Sequence, residues 1–194
     1  MVFYGQTRRP VHEPIIIDSR MTPTMSDLRS APVPPLSSTD HVRGPEGARV
    51  VVLYADFTCP RCALAVARLA GRPVRVAFRH FALRAKDRRA VPVALAAEAA
   101  AEQGRFWEMH DALYADPGRL DDPHLWARAE RLGLDLDRFE ADRRSAVLAE
   151  RVRQQVYGGI RAGVAITPTM FVDGVAHTGP PDEAFVRRLV GPSA

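Results

Sequence analysis

Lysine is nearly missing from this chain: Lys86 is the only one among 27 basic residues, so arginine carries almost all of the net charge of +4. The arginines are scattered among acids on predicted helices and are not clustered with aromatics, which argues against a nucleic-acid binder. Long apolar runs are missing too. Nothing approaches the ~18 residues of a membrane span. Near the start, Ile15-Ile16-Ile17 falls short of the about 7–15 apolar residues of a secretory signal. The expected location is therefore cytoplasmic. Cysteine is scarce, with Cys59 and Cys62 the only two. In that compartment a structural disulfide is not expected, and a lone CxxC points to catalysis or to a metal. Zinc asks for four tetrahedral ligands, and the sequence offers no second CxxC, no HxxxH and no histidine at ligand spacing from the pair. No internal repeat is visible.

What is present suits a soluble globular protein with one sizeable core: 194 residues, 46% apolar and 26% charged. Residues 1–42 differ in texture, with Pro10, Pro14, Pro23, Pro32, Pro34 and Pro35 followed by Ser37-Ser38-Thr39. They read as a flexible leader, with Met21 and Met25 as alternative starts. One domain is expected over 43–194. It opens with a buried strand at about 49–55 and a helix at about 60–70, stopped by Gly71-Arg72-Pro73. A second strand follows at 74–81. A helical block fills about 88–160. Pro92 opens an alanine-rich helix that stops at Gly104, and Phe106, Met109, His110 and Leu113 mark one face of the next. Asp122-Pro123 caps a third helix, and Asp135 caps a long fourth that reaches Gly158-Gly159. Trp107, Tyr114 and Trp126 are expected in the core of this block. His80 and His110 are expected as packed, hydrogen-bonded side chains, and charge runs such as Asp142-Arg143-Arg144 as solvated faces. After the block come Thr169–Val172, a turn at Asp173-Gly174, a strand at Val175–His177 and a helix to Val190. The order is β-α-β, helices, then β-β-α. Its first half makes a parallel pair, and the Asp-Gly turn makes an antiparallel hairpin.

Cys59-Pro60-Arg61-Cys62 sits where the first strand hands over to a helix N-terminus, and Pro60 suits the first helical position. The unpaired amides there favour a thiolate, the reactive form of cysteine. The guanidinium of Arg61 is expected to add to that, making the pair more oxidising than a cytosolic reductase. Asp56 has two readings: a proton acceptor for the cysteines, or a loop carboxylate that accepts backbone N–H bonds.

Four stretches together resemble the DsbA-like branch of thioredoxin-fold thiol–disulfide oxidoreductases, over about residues 40–190. They are Tyr54–Cys62, Phe78–Phe81, Ala96–Ala100 with Gly104–Asp111, and Gly163–Gly174. The resemblance implies an α/β thioredoxin-like fold with a helical insertion. It also implies Cys59 as nucleophile, Cys62 as resolving thiol, and a cis Thr167–Pro168 bond beside them that leaves the preceding backbone free to pair with an extended client. Thr167 would donate its hydroxyl toward the cysteine sulfur. No cofactor or metal is implied. The partners would be thiol or disulfide client proteins and a redox partner of thioredoxin or glutathione type. The first helix and its loop are shorter than usual in this branch, and Arg61 stands where relatives often carry an aromatic or a histidine. Alternatives are a glutathione-dependent isomerase or transferase on the same fold, which needs no second cysteine, and a non-catalytic or zinc-binding module.

Overall fold

The computed structural model describes residues 31–191. A five-stranded sheet carries the molecule, in the order β1-β3-β2-β4-β5. Its centre is β2 (Val50–Ala55), whose residues 51–55 are all buried. A β-branched run closed in on both faces has no alternative to a central strand. The chain then turns through α1 (Pro60–Leu69) and returns as β3 (Arg75–His80), parallel to β2 from Val50↔Arg75 to Ala55↔His80. The strand β4 (Thr169–Val172) runs antiparallel on the other side of β2, pairing Tyr54 with Thr169. It forms a hairpin with β5 (Val175–Thr178). Asp173 and Gly174 both take positive φ, 50° and 78°, as a two-residue hairpin turn demands.

Period-two alternation divides β2 between two cores. Val51, Leu53 and Ala55 face one apolar cluster with Phe57, Phe78 and Met170, while Val52 and Tyr54 face another with Phe81, Val164 and Phe171. Between β3 and β4 lie α2 (Ala90–Ala101), α3 (Phe106–Ala115), α4 (Asp122–Arg131), α5 (Leu136–Arg143) and α6 (Ala146–Arg161). The alanines of α2 are almost all buried, and their small side chains let neighbouring helices approach closely. A last helix, α7 (Glu183–Val190), is capped by Asp182 through the N–H of Phe185.

Several expectations are corrected. Residues 1–30 of the expected leader lie outside the described residues, but Val33, the carbonyls of Pro34 and Pro35, and Asp40–Val42 are held on the domain. Buried Arg79 draws them in, donating to the carbonyls of Pro34 and Pro35 at 2.8 Å and to both oxygens of Asp40 at 2.7 and 2.8 Å. The strand β1 (His41–Arg43) follows directly and pairs antiparallel with β3. The expected long fourth helix is two helices, because Ser145 accepts the N–H of Val147 and starts α6 anew. Asp121, not Asp122, caps α4. Trp126 is 45% exposed, outside the core, with its indole N–H donated to Glu140 at 2.8 Å.

Candidate active site

The C-terminal end of β2 delivers the chain into a tight loop, in which the N–H of Cys59 reaches the carbonyl of Asp56 at 3.1 Å. Cys59 is the N-cap of α1, in extended backbone conformation, and Pro60 opens the helix. The N–H of Cys62 returns to the carbonyl of Cys59 at 2.9 Å, which sets the two side chains on one helical turn. Both cysteines are free thiols, Cys59 half-buried and Cys62 with no exposure. Opposite them lies the loop that precedes β4. Its Thr167–Pro168 bond is cis, and Thr167 presents its carbonyl to Cys59 Sγ at 3.7 Å.

The two sulfurs are electrostatically unlike. A hydrogen bond from the Cys62 thiol leads the influences that lower the pKa of Cys59 to about 5. Burial opposes it, while the Thr167 side chain and the backbone N–H groups of Cys62 and Arg61 add to the lowering. Cys62 moves the other way. Its proton is held by Cys59 and its burial disfavours charge, so its pKa is raised far above the ordinary thiol range. The N–H of Asp56 points at Cys62 Sγ at 3.5 Å.

Asp56 stands on the same loop, three residues ahead of Cys59. It is buried, and Oδ1 accepts the backbone N–H and the hydroxyl of Thr58 at 2.8 and 2.9 Å. Burial nonetheless outweighs those bonds and raises its pKa. Two expected details differ. The Arg61 guanidinium lies toward Gly179, 2.8 Å from where a Cβ there would stand, and the Arg61 backbone N–H is among the groups that lower the pKa of Cys59. The geometric hydrogen bond of Thr167 to Cys59 is through the carbonyl, which only the thiol can donate to, whereas the side chain favours the thiolate.

Cys59 opens into a cleft of about 300 Å³ with Asp56, Arg61, Lys86, Asp87 and Ile166 on its walls. A larger cavity of about 470 Å³, between Leu53, Val66, Leu69 and Trp107, includes neither cysteine, so the reactive sulfur places the site at the smaller one. Lys86 and Ile166 were not anticipated. The one signal for Lys86 was its being the only lysine. Among the described residues no cluster of His, Cys, Asp or Glu is arranged to hold a metal ion.

A CxxC at the strand–helix junction, a proline loop across from it and a helical insert between the two halves of the sheet define the DsbA-like form of the thioredoxin fold. The chain belongs to the thioredoxin family, whose model matches residues 36–191. Among solved structures it is similar to a thioredoxin-like oxidoreductase from Silicibacter pomeroyi, with a TM-score of 0.71 and 25% identity over 79% of this chain and 91% of that one. It is also similar to the thiol-disulfide exchange protein α-DsbA2 from Wolbachia pipientis, with a TM-score of 0.68, 18% identity, and 79% and 86% coverage. A third, Pseudomonas aeruginosa DsbA2, has a TM-score of 0.64, 22% identity, and 80% and 95% coverage. Curated relatives carry another name. A Na(+)/H(+) antiporter NhaA of Salinispora tropica is 47% identical over 157 residues, which is 76% of this chain and 24% of that protein. One from Mycolicibacterium vanbaalenii is 36% identical over 160 residues, 78% of this chain and 26% of that protein. The chain thus spans about a quarter of those relatives' length. Among the described residues no helix is long and apolar enough to cross a membrane.

Proposed function

We propose that this chain exchanges disulfides with thiol or disulfide clients through a mixed disulfide on Cys59, which Cys62 resolves. The observation that carries the reading is the asymmetry of the pair. Cys59 is accessible and holds a pKa of about 5, whereas Cys62 is buried and protonated. At neutral pH the first is a thiolate ready to attack, and the second is held back until a mixed disulfide forms beside it. Asp56, with its raised pKa, is the proton acceptor for Cys62. Thr167 forms the wall against which a client lies, with Pro168 directly behind it, and Arg61 and Lys86 face the carboxyl groups of Asp56 and Asp87 across the mouth.

Stabilising the reduced thiolate biases the couple toward oxidation of clients. A reduction potential above the ~−270 mV of thioredoxin is the expected result in glutathione buffers. The experiment that decides the mechanism is Cys62→Ser. A disulfide exchanger stalls as mixed disulfides on Cys59, visible as client-sized mass additions that dithiothreitol removes. A glutathione-dependent transferase or isomerase keeps turning over without the second cysteine, and that outcome overturns the proposal. The antiport named for the curated relatives belongs to proteins about three times as long as this chain.

A further inference from the structure

The loop from Leu83 to Arg89, between β3 and α2, carries an excess of positive charge beside Cys59. Its cations are Arg84, Lys86, Arg88 and Arg89, all exposed, and its one acid is Asp87. The loop is held in shape from within. Leu83 packs on the cluster of Tyr54 and Phe81, and its carbonyl accepts the N–H groups of Lys86 at 2.9 Å and Asp87 at 3.2 Å. Asp87 is spent inside the loop as well. It accepts the N–H of Arg89 at 2.7 Å and pairs with that guanidinium at 3.4 Å. Among the described residues Arg84, Lys86 and Arg88 enter no ion pair, and neither does exposed Arg61, which lines the cleft of Cys59 together with Lys86. The other carboxyl of that cleft, Asp56, is buried and bonded to Thr58. Arg84, Arg88 and Arg89 also line a second hollow of about 550 Å³, whose acids Asp121, Asp122 and Glu140 are matched to His124, Arg143 and Arg144.

We propose that the basic loop 84–89 and Arg61 select clients by charge, so that the preferred client is a polypeptide with acidic side chains flanking its reactive cysteine. The inference rests on the exchange reading above and names a substrate class for it. Exposed cations without partners attract and orient acidic ligands, and here they begin at the reactive sulfur and extend beyond its cleft. A ligand that meets them all is longer than a cleft of about 300 Å³ holds, which favours a polypeptide over a small thiol. No aromatic side chain lines either hollow, so the bases of a nucleic acid would find nothing to stack on. The reaction sharpens the demand. When Cys59 Sγ attacks a client disulfide, a bond forms from Sγ to one client sulfur, the client S–S bond breaks, and the electron pair leaves on the other client sulfur. The cleft thereby loses the thiolate charge that shared it with Arg61 and Lys86, and carboxylates brought by the client restore the balance.

The test uses the full chain and two synthetic peptides that differ only in carrying glutamates or lysines on either side of a single cysteine. Each is activated as a mixed disulfide with 2-thiopyridine, and stopped-flow release of the thiopyridone reads attack by Cys59. Dividing each rate by that of the same peptide with 2-mercaptoethanol removes the peptide's own reactivity. At low ionic strength the acidic peptide is expected to react about tenfold faster than the basic one, and the ratio to fall toward unity in about 0.5 M salt. Arg84→Gln with Arg88→Gln should lower the ratio, while Arg84→Lys with Arg88→Lys should keep it, a rescue that a purely structural role would not give. A wild-type ratio at or below unity in low salt overturns the proposal and leaves the exchange reading intact, as does a ratio that the glutamine variant does not change. Equal peptide rates together with retention of a single-stranded oligonucleotide assign the patch to nucleic acid and overturn it too. A wild type that releases no thiopyridone ends the exchange reading as well.

Discussion

Replacing Cys62 by alanine removes the hydrogen-bond donor that does most to hold Cys59 as a thiolate. A hydrogen bond to a charged group contributes about 1.5–3 kcal/mol, and each pKa unit corresponds to about 1.4 kcal/mol. The loss therefore amounts to roughly one to two units. From a starting value of about 5, the Cys62→Ala variant should titrate at roughly 6–7. The contrast is sharpest near pH 5.5, where the thiolate fraction falls from about three quarters to about a tenth for a pKa of about 6.5. The assay is the absorbance of the thiolate at 240 nm against pH, checked by alkylation rates with iodoacetamide. Cys62→Ser is the control, because its hydroxyl can still donate and should keep the value nearer 5. A Cys62→Ala variant that still titrates near 5 would refute this account and transfer the effect to the amides of α1 and to Thr167. Serine and alanine variants that rise together would show that the hydroxyl does not replace the thiol as donor.

Three further expectations concern stability. Arg79→Met strands the carboxylate of Asp40, which is 3% exposed. That should cost about 3–5 kcal/mol, read as a fall of roughly 6–20 °C in Tm by calorimetry. Gly159→Ala in α6 places a methyl 2.8 Å from the ring of Phe81 and 2.9 Å from that of Tyr54. Overpacking of about 1–3 kcal/mol outweighs the gain in helix propensity of about 1, and urea midpoints should fall; an unchanged midpoint means the rings move aside freely. The third concerns acid. Burial alone would raise the pKa of Glu98, yet hydrogen bonds from His41 and His80 outweigh it and hold the carboxyl well below its ordinary value. A depressed folded value adds stability above the unfolded pKa of about 4.3, and that stability is lost as pH falls below it. Urea unfolding between pH 6 and 3 should show this limb in the wild type and a flatter one in Glu98→Gln.

The parts of the fold that were legible in the sequence are those set by neighbours along the chain. Strand β2, the CxxC with Pro60 at the helix start, and the Asp173-Gly174 hairpin each carry their own local signal. What was missed depends on residues far apart in sequence. His41 and Arg79 fasten the segment from Pro34 to His41 onto the domain, and their partners Glu98, Asp40 and Pro34 are brought to them only by the sheet and α2. Ser145 breaks the helical run without a glutamate or glutamine at the third helical position, where Leu148 stands, so half of the capping signal is absent. Arg128, among the acids and bases of α4, carries no local signal of its role. It is 2% exposed and collects the carbonyls of Ala112, Asp116 and Arg119 at the end of α3. At the site, the CxxC carried its own local signal, Pro168 came only with the family resemblance, and the placement of the Arg61 side chain could not be read. A side chain of that length can swing either toward the sulfur or across to Gly179, and only the neighbouring hairpin decides which.

The Arg79 fork also has a mechanical meaning. Residues 34–40 are tied to a guanidinium rooted in β3, the second strand of the sheet, with Tyr54 of β2 as a further anchor at 3.2 Å. Tension arriving from upstream is taken up at that knot before it reaches β1, a three-residue edge strand that would peel first. The clamp works as a strain relief on a cable. A pull applied ahead of Pro34 is passed through Arg79 to the interior of the sheet that positions Cys59 and Cys62, and not to its edge.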